Sequence, residues 1–333
     1  MGCKYRMDFS STSNLDSSTS LPLSHPKTSK QRLECFICKH RSDPNNESAF
    51  ATFSCNVRAF KDEKFKVWRC PVCKTIHCLD VVDLPHYYAK YPVAQAVLTL
   101  PLSISYRNIY RQLTRHGFSK THLFLDYGCA NGLFIQYLRQ RGFTNCHGYD
   151  PYGSQEGFGN PTTLQQGPFD YILLQDVIEH DEDPNALLSK LDSLLAPGGY
   201  ILLATPNATN IDLSQSNVSD FYNEVHVPYH LHLFTPEALE SLGCRQGWKA
   251  VDYFDRPYHD TPWFAVNTRA WNEYQRLGDG TLNVVYEPIK PWKALTSYKF
   301  WFYAIFGYWF SYQTGMAVMF HKTGAQSLYP ENT

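Results

Sequence analysis

The chain has 333 residues, which at roughly 150 residues per domain predicts about two domains with enough chain to bury a large core. Its 30 basic and 31 acidic residues give a formal charge of −1, which excludes an overall electrostatic attraction to nucleic acid or to an anionic membrane. Aromatic residues make up 15% and charged residues only 18%, against about 25% in an average soluble domain, and this favours a large aromatic pocket, lid or interface.

The N-terminal segment, residues 1–31, is rich in Ser and Thr and poor in large apolar residues. Such a composition buries too little surface to offset the entropy of ordering, so we predict a disordered tail. The sequence contains neither the apolar core of a signal peptide nor a run of 18 or more uncharged apolar residues. We therefore expect a soluble, cytoplasmic protein without a membrane span.

Two C-x-x-C pairs follow the tail, Cys35 with Cys38 and Cys70 with Cys73. In a reducing compartment this arrangement indicates a metal site, and two such knuckles supply four thiolates to a tetrahedral Zn²⁺. We predict a zinc ribbon over residues 32–81, with a structural role because four protein ligands leave no open coordination position. The alternatives are four free cysteines, or a ligand replaced by one of two nearby histidines, His40 and His77.

Helical and strand patterns alternate through the rest of the chain. Residues 82–117 carry apolar side chains at helical spacing and are predicted to form a helical connector. From residue 118 onward, short apolar runs alternate with amphipathic stretches; the runs are 122–126, 145–150, 171–174, 200–204, 249–254 and 316–321. Repeated strand–helix units predict a doubly wound, mostly parallel α/β domain over 118–323.

A long aromatic connection interrupts this pattern before its last strand. Between Phe254 and Met316, 17 of the side chains are aromatic, including five of the seven Trp. We predict a cap inserted at 255–315. Core packing within the cap, a hydrophobic substrate tunnel and an interfacial contact with a membrane are alternative roles for its densest stretch, 298–312. Residues 324–333 are expected to form a C-terminal tail.

A glycine-containing bend joins the first strand of the α/β domain to its helix, with Gly128 and Gly132 following an apolar run. Such a bend lets a ligand approach the backbone near a helix N-terminus. Asp150 stands at the end of the next strand, where a carboxylate can accept hydrogen bonds from a ribose diol. Because the third glycine of a dinucleotide fingerprint and a P-loop are both absent from the sequence, we predict a nucleoside cofactor without phosphates.

Four segments resemble, in order and spacing, the motifs of class I S-adenosylmethionine-dependent methyltransferases: 126–132, 149–150, 169–180 and 194–203. The resemblance implies a Rossmann-like, mostly parallel sheet of seven strands. It also implies that eight residues bind the cofactor: Asp126, Gly128, Cys129, Asn131, Gly132, Asp150, Gln175 and Asp176. Among these, Asp126 and the two glycines would hold the methionine end, Asp150 the ribose, and Gln175 with Asp176 would flank the cofactor.

The sequence departs from the family pattern at two places. Ala130 occupies a position where many members have glycine. The connection from Asp150 to Phe169 is short, so the third strand is expected to be short, at 162–164, and the residue that contacts the adenine amine stays unassigned.

Histidines after two strands are the candidate catalytic residues. Histidine titrates nearest neutrality and is the usual proton acceptor, and we select His180 and His230 from a group that also includes His226 and His232. The set formed by Asp176, Glu179 and the two selected histidines resembles a set in ubiquinone-pathway O-methyltransferases and small-RNA 2′-O-methyltransferases. In those enzymes the set is Glu-x-x-Glu-His plus a distant His. That likeness implies a Mg²⁺ or Mn²⁺ site, with Asp176, Glu179 and His180 on one face of a helical turn. The alternative is a structural role for Glu179 and both histidines.

The ribbon is also similar to the N-terminal ribbons of bacterial methyltransferases of natural-product, sugar and cell-surface pathways. The expected activity is therefore methylation of a small metabolite, such as a sugar, aromatic or natural-product precursor, at oxygen or alternatively at carbon or nitrogen. We also consider RNA 2′-O-methylation with a metal, and a catalytically dead scaffold. Nucleic acid is not the expected partner, because the ribbon's excess of nine basic over six acidic residues is slight.

Overall fold

The structure of the protein is a computed structural model that describes residues 30–92, 97–153, 157–214, 221–256 and 260–323. The predicted disordered tail, 1–31, lies outside the described residues except for its last two positions. The predicted C-terminal tail, 324–333, lies wholly outside them.

Strands and helices alternate through the described residues. The strands are β1 (Phe50–Ser54), β2 (Lys64–Arg69), β3 (Ile76–Cys78), β4 (Phe124–Tyr127), β5 (Cys146–Tyr149), β6 (Phe169–Gln175), β7 (Leu195–Pro206), β8 (His232–Leu233), β9 (Trp248–Phe254) and β10 (Gly315–Lys322). The α-helices are α1 (Leu84–Tyr88), α2 (Leu100–Arg115), α3 (Leu133–Arg139), α4 (Pro184–Leu194), α5 (Tyr222–Val225), α6 (Pro236–Arg245), α7 (Thr268–Leu277), α8 (Asn283–Tyr286), α9 (Pro291–Leu295) and α10 (Tyr298–Phe306).

The central sheet has the order β5-β4-β6-β7-β10-β9. The first four of these strands pair in parallel, and β10 pairs antiparallel with both β7 and β9. β5 lies on one side of β4 and β6 on the other, so the strand order reverses at β4. In open α/β sheets a ligand binds at such a reversal, outside the carboxyl ends of the strands.

The described sheet has six strands where seven were expected, and the short third strand predicted at 162–164 was wrong. Those residues lie in a 3₁₀ helix, Pro161–Gln166. Asn160 caps this helix by accepting a hydrogen bond from the Thr162 backbone N–H at 3.0 Å, and Pro161 fixes the backbone at its start. Within so short a connection, these local preferences favour a helical turn over a strand.

Helices cover both faces of the sheet. Residues of α2 and α3, including Leu113 and Leu138, are buried against one face, and residues of α4 and α6, including Leu188 and Leu239, against the other. Both α4 and α6 begin with proline after a side chain that accepts a backbone hydrogen bond. The order strand–helix–strand therefore follows the sequence pattern closely.

The cysteine-containing segment forms a second sheet of order β1-β2-β3-β8. Its last strand, β8, comes from the chain between β7 and β9, far from β3 in the sequence. His77 on β3 pairs with His232 on β8 in the antiparallel register. The ribbon is thus joined by backbone pairing to the segment that immediately follows His230.

The aromatic connection between β9 and β10 is helical, comprising α7 to α10. It contacts the ribbon, because the Leu282 N–H donates to the Asn56 carbonyl at 2.7 Å and Arg58 pairs with Asp279 and Glu287. No helix among the described residues is long and apolar enough to cross a bilayer.

Candidate functional site

The loop after β4 is shaped by three residues with positive φ: Gly128 (81°), Ala130 (47°) and Gly132 (66°). A Cβ on Gly128 would lie 2.3 Å from the Val177 side chain, and one on Gly132 would lie 2.1 Å from the Phe158 ring. Close packing and backbone conformation both require glycine at these positions. Ala130 adopts the left-handed conformation despite its Cβ, at a cost of roughly 1–2 kcal/mol.

The other two loop residues predicted to bind the cofactor differ in environment. Cys129 is buried, and its Sγ would lie 2.7 Å from a Cβ on Gly148, so this thiol packs closely against β5. Asn131 is exposed.

Asp150 follows β5 directly and contacts the glycine loop. One carboxylate oxygen accepts from the Ala130 N–H at 2.9 Å, and the other accepts from the Tyr152 N–H at 2.8 Å. Each carboxylate oxygen has two lone pairs, so both can accept a further hydrogen bond from a ribose diol. The structure therefore brings together the loop and the carboxylate that the sequence paired.

Asp126 lies near the end of β4 and is only 5% exposed. Burial raises the pKa of this carboxyl to about 7, and the charge of Asp150 adds to the increase. A neighbouring cation would favour the ionised form. The site is thus suited to the ammonium or sulfonium group of S-adenosylmethionine.

Gln175 and Asp176 lie at the carboxyl end of β6, beside β4. The Asp176 N–H donates to the Ala204 carbonyl at 2.9 Å, and the Gln175 amide donates to the Asp176 carboxylate at 3.4 Å. Asp176 has a φ of 51°, so the chain leaves the strand in an uncommon conformation. Because β4 and β6 are parallel neighbours, both residues lie at the same edge of the sheet as the glycine loop, where the crevice of an open α/β sheet is expected.

His180 and His230 lie together, with ring centroids 4.6 Å apart. His180 Nδ1 is 3.1 Å from the Tyr229 carbonyl oxygen, and His230 Nδ1 is 2.6 Å from the Glu224 carbonyl oxygen. A carbonyl oxygen can only accept, so each Nδ1 carries a proton and each Nε2 is unprotonated. Burial lowers the pKa of His180 to about 4 and that of His230 well below its usual value, so both rings are neutral at pH 7.

Glu179, next to His180, is completely buried. Its Oε2 accepts from the Thr205 hydroxyl at 2.9 Å, whereas its Oε1 has no hydrogen-bond partner among the described residues. Burial, and secondarily the charge of Asp176, raise the pKa of this carboxyl well above its usual value. A cation at Oε1 would satisfy that oxygen and stabilise the ionised form.

Ligand atoms of Glu179, His180 and His230 lie within 4.8 Å of one another. Two ligands about 2.1 Å from one metal are at most about 4.2 Å apart, so a small contraction would let all three bind one ion. Two imidazoles and one carboxylate suit a transition metal such as Mn²⁺ or Zn²⁺ better than Mg²⁺, which prefers oxygen. Asp176 is outside this cluster, and its expected place on the same helical face was wrong because its positive φ interrupts the helical path.

Tyrosines that the sequence analysis did not select surround the histidines. The Tyr88 hydroxyl is 3.0 Å from His180 Nδ1, and the Tyr91 hydroxyl donates to His226 Nε2 at 3.1 Å. The Tyr88 ring also stacks on that of Tyr152, two residues after Asp150, with centroids 6.3 Å apart. Tyr88 therefore connects the segment that follows Asp150 to the histidines. The tyrosine spacing of α1 indicated a helix, but it could not show which way the hydroxyls point.

Two further tyrosines reach the crevice from distant parts of the chain. The Tyr106 ring on α2 packs edge-on against Phe134 of α3, with ring centroids 5.2 Å apart. Burial raises the pKa of Tyr106, and the charges of Asp126 and Asp176 add to the increase. Tyr286 on α8 hydrogen-bonds Tyr91, so the cap contacts the tyrosines that surround the histidines.

The four cysteines of the C-x-x-C pairs form one cluster. Cys35 Sγ is 3.3 Å from Cys73 Sγ, and Cys38 Sγ is 3.4 Å from Cys70 Sγ. Zn–S bonds of about 2.3 Å in a tetrahedron place sulfurs about 3.8 Å apart, so the cluster is compatible with zinc. The two predicted spare ligands, His40 and His77, are not members of the cluster.

His77 instead contacts a cysteine of the cluster with one ring nitrogen and a second histidine with the other. Its Nε2 lies 3.2 Å from Cys35 Sγ, and its Nδ1 lies 3.0 Å from His232 Nδ1. Both histidines are buried. A histidine that donates to a metal-bound thiolate fixes that ligand's orientation. This chain of contacts connects the cysteines to β8 and so to the segment that carries His230.

Three features define a cofactor-binding α/β domain. The sheet has β10 antiparallel between β7 and β9, the glycine loop lies where the strand order reverses, and a carboxylate follows β5. A family model described as a methyltransferase domain matches residues 99–253. This part of the chain is a class I S-adenosylmethionine-dependent methyltransferase domain.

Curated relatives include two ubiquinone biosynthesis O-methyltransferases. That of Caulobacter sp. (strain K31) is 32% identical over 126 residues, covering 32% of this chain and 50% of the relative. That of Caulobacter vibrioides is 31% identical over 140 residues, covering 35% of this chain and 56% of the relative. The chain thus spans about half the length of the curated relatives it matches.

Solved structures with a similar fold are more distant. A methyltransferase from Archaeoglobus fulgidus has 17% identity and a TM-score of 0.35, covering 65% of this chain and 94% of its own. The 1,6-didemethyltoxoflavin-N1-methyltransferase of Burkholderia thailandensis has 14% identity and a TM-score of 0.34, covering 58% and 91%. Likeness at this level says nothing about substrate.

Proposed function

We propose that the protein transfers the methyl group of S-adenosylmethionine to a hydroxyl oxygen of a small metabolite. The oxygen forms a bond to the methyl carbon while the carbon–sulfur bond breaks, S-adenosylhomocysteine leaves, and the hydroxyl proton passes to His180 Nε2. The observation that carries this proposal is the pair of neutral imidazoles with unprotonated Nε2 atoms, which Tyr88 connects to Tyr152, two residues after Asp150. The O-methyltransferase names of the curated relatives support oxygen as the acceptor.

The proposal assigns a role to each part of the chain. We assign cofactor binding to Asp126, Gly128, Cys129, Asn131, Gly132, Asp150, Gln175 and Asp176, and proton transfer to Glu179, His180 and His230. Residues 32–81 form the zinc ribbon, 82–117 the connector and 118–323 the methyltransferase domain, with 255–315 as its cap. The tyrosine walls favour a planar, aromatic acceptor, since Tyr rings stack on such molecules.

A second candidate mechanism uses a divalent cation held by Glu179, His180 and His230. Its support is the buried Glu179 Oε1, which has no hydrogen-bond partner among the described residues. A metal at this cluster would lower the pKa of a substrate hydroxyl. The low pKa of His180 favours this role, because a weakly basic imidazole binds a metal without competition from protons.

The experiment measures transfer of radiolabelled methyl groups to a panel of phenols, catechols and sugars. His180→Asn and His230→Asn are expected to lower kcat by about 100-fold, the usual contribution of general acid–base catalysis, with cofactor affinity unchanged. His321→Gln, on β10 and packed against Tyr200, is the matched control. Loss of activity on chelation and recovery with Mn²⁺ would select the metal mechanism. Full activity in both variants would refute both mechanisms, and absence of cofactor binding would refute methyl transfer.

A further inference from the structure

The cap presents a large apolar surface to solvent. We define the cap face as the exposed side chains of α9, α10, the turn at 263–264 and the 3₁₀ helix Gly307–Phe310. Trp292 is 63% exposed, Tyr298 79% and Trp309 64%. In α10 itself, only Ala304 is buried. A helix that is apolar on nearly all sides normally lies inside a core or in contact with lipid.

Exposed rings of the cap face contact one another in two groups, both of which include residues of α10. Phe264 and Trp301 have ring centroids 5.9 Å apart, and Phe302 and Phe310 are 5.3 Å apart. The backbone joins the same parts, since the Ala265 N–H donates to the Ala304 carbonyl at 2.8 Å. Contiguous apolar patches of this kind mark interaction sites, whereas single exposed apolar residues do not.

The charge of the cap face is positive. Residues 288–310 contain three Lys and no Arg, Asp or Glu, although the whole chain has a net charge of −1. Lys290 is exposed, and Lys293 Nζ lies 5.7 Å from the Trp292 ring centroid. Glu287, at the edge of this segment, pairs with Lys290 at 3.6 Å but also with Arg58. The segment that carries the exposed aromatic rings therefore has more lysines than acidic residues.

We propose that the cap face docks on an anionic phospholipid bilayer, with its rings at the headgroup level and its lysines against lipid phosphates. Trp and Tyr favour this interface, and Lys close to an anionic surface adds electrostatic attraction. Interfaces between proteins are enriched in Arg and depleted in Lys, so the composition favours lipid over a second copy of the chain. Because no helix among the described residues is long enough to cross a bilayer, the contact is peripheral.

Flotation of the full chain with vesicles tests this proposal without cofactor or substrate. The protein is expected to float with phosphatidylcholine vesicles containing about one third phosphatidylglycerol, and much less with phosphatidylcholine alone or at high salt. Trp292→Ser with Trp309→Ser is expected to lower the vesicle partition coefficient at least about tenfold. Because both side chains are exposed, the variant should fold, and single Trp309→Ser serves as a second variant.

Charge reversal provides a matched comparison. Lys293→Glu with Lys299→Glu is expected to lower partition into anionic vesicles by about fivefold or more per residue. Lys61→Glu with Lys120→Glu changes net charge equally at exposed sites elsewhere and should have a much smaller effect. The proposal is overturned if the wild-type chain does not float, if the two charge variants behave alike, or if the Trp variant loses only self-association in light scattering. Cofactor affinity, measured separately, reports on the proposed methyl transfer and not on docking.

Discussion

Asp150→Ala tests the cofactor site most directly, because this carboxylate joins the glycine loop to the predicted position of the ribose. Its two oxygens already accept from Ala130 and Tyr152 backbone N–H groups, at 2.9 and 2.8 Å. Hydrogen bonds to a charged acceptor each contribute about 1.5–3 kcal/mol. Loss of two such bonds to the ribose should raise the Kd for S-adenosylhomocysteine by at least about 100-fold.

The same substitution should have only a small effect on folding. Ala130 is exposed, so water can replace the carboxylate at its N–H, and we expect a loss of about 1 kcal/mol in the free energy of unfolding. In a chain of this size that corresponds to a fall of about 2–4 °C in the unfolding midpoint. Calorimetric titration and thermal unfolding therefore separate the two consequences.

Asp170→Ala is the matched control. The Asp170 carboxylate accepts from the Leu123 N–H at 2.7 Å, close to the amino end of β6 and at the opposite edge of the sheet from the crevice. This variant should lose comparable stability and keep its affinity for the cofactor. If Asp150→Ala binds S-adenosylhomocysteine within about fivefold of the wild type, the assignment of this carboxylate to the ribose is refuted.

Three further changes have defined outcomes. Cys38→Ser should abolish stoichiometric zinc in elemental analysis and lower the unfolding midpoint by about 10 °C, whereas Cys244→Ser, outside the cluster, should do neither. Burial raises the pKa of Asp126 to about 7, so the contribution of this carboxyl to the stability of the unliganded protein should fall as the pH rises from about 4 to 7, because it ionises earlier in the unfolded chain than in the folded one. The buried neutral histidines act in the opposite direction, so the trend is measured as the free energy of unfolding of the wild type minus that of Asp126→Asn. Cofactor affinity should rise over about pH 6–8, and a flat profile would contradict a cation contact at Asp126. Tyr88→Phe removes the hydroxyl 3.0 Å from His180 and should lower kcat about threefold to tenfold without changing cofactor affinity; an unchanged kcat would exclude a positioning role.

The sequence determined those features that depend on residues close together in the chain. The glycine loop could be read because positive φ and close backbone packing are requirements of single positions, and Gly128 and Gly132 meet them. The parallel sheet followed from short apolar runs separated by helical patterns, and α4 and α6 begin where a capping side chain precedes proline. The cysteine pairs could be assigned to one cluster because their spacing limits the ways in which four thiolates can meet.

Local preference also explains where the sequence analysis was wrong. The family resemblance implied a sheet of seven strands with a short third strand at 162–164, whereas Asn160 and Pro161 favour a 3₁₀ helix there. Helical spacing placed Asp176 beside Glu179 and His180, but the left-handed conformation of Asp176 changes the chain direction before the short helix begins. In both cases a single backbone conformation outweighed a periodic pattern.

Only the tertiary structure decided how the ribbon, connector and cap complete the crevice. Tyr88 and Tyr286 reach the crevice from the connector and the cap, two segments far apart in the sequence, and β8 extends the ribbon's sheet through the pairing of His77 with His232. A period of 2 or 3.6 residues shows which side chains share a face of one element, but it carries no information about which distant element that face will meet. Contacts between distant residues also decide which ring nitrogen of His180 and of His230 is protonated, because the carbonyls of Tyr229 and Glu224 select the tautomer.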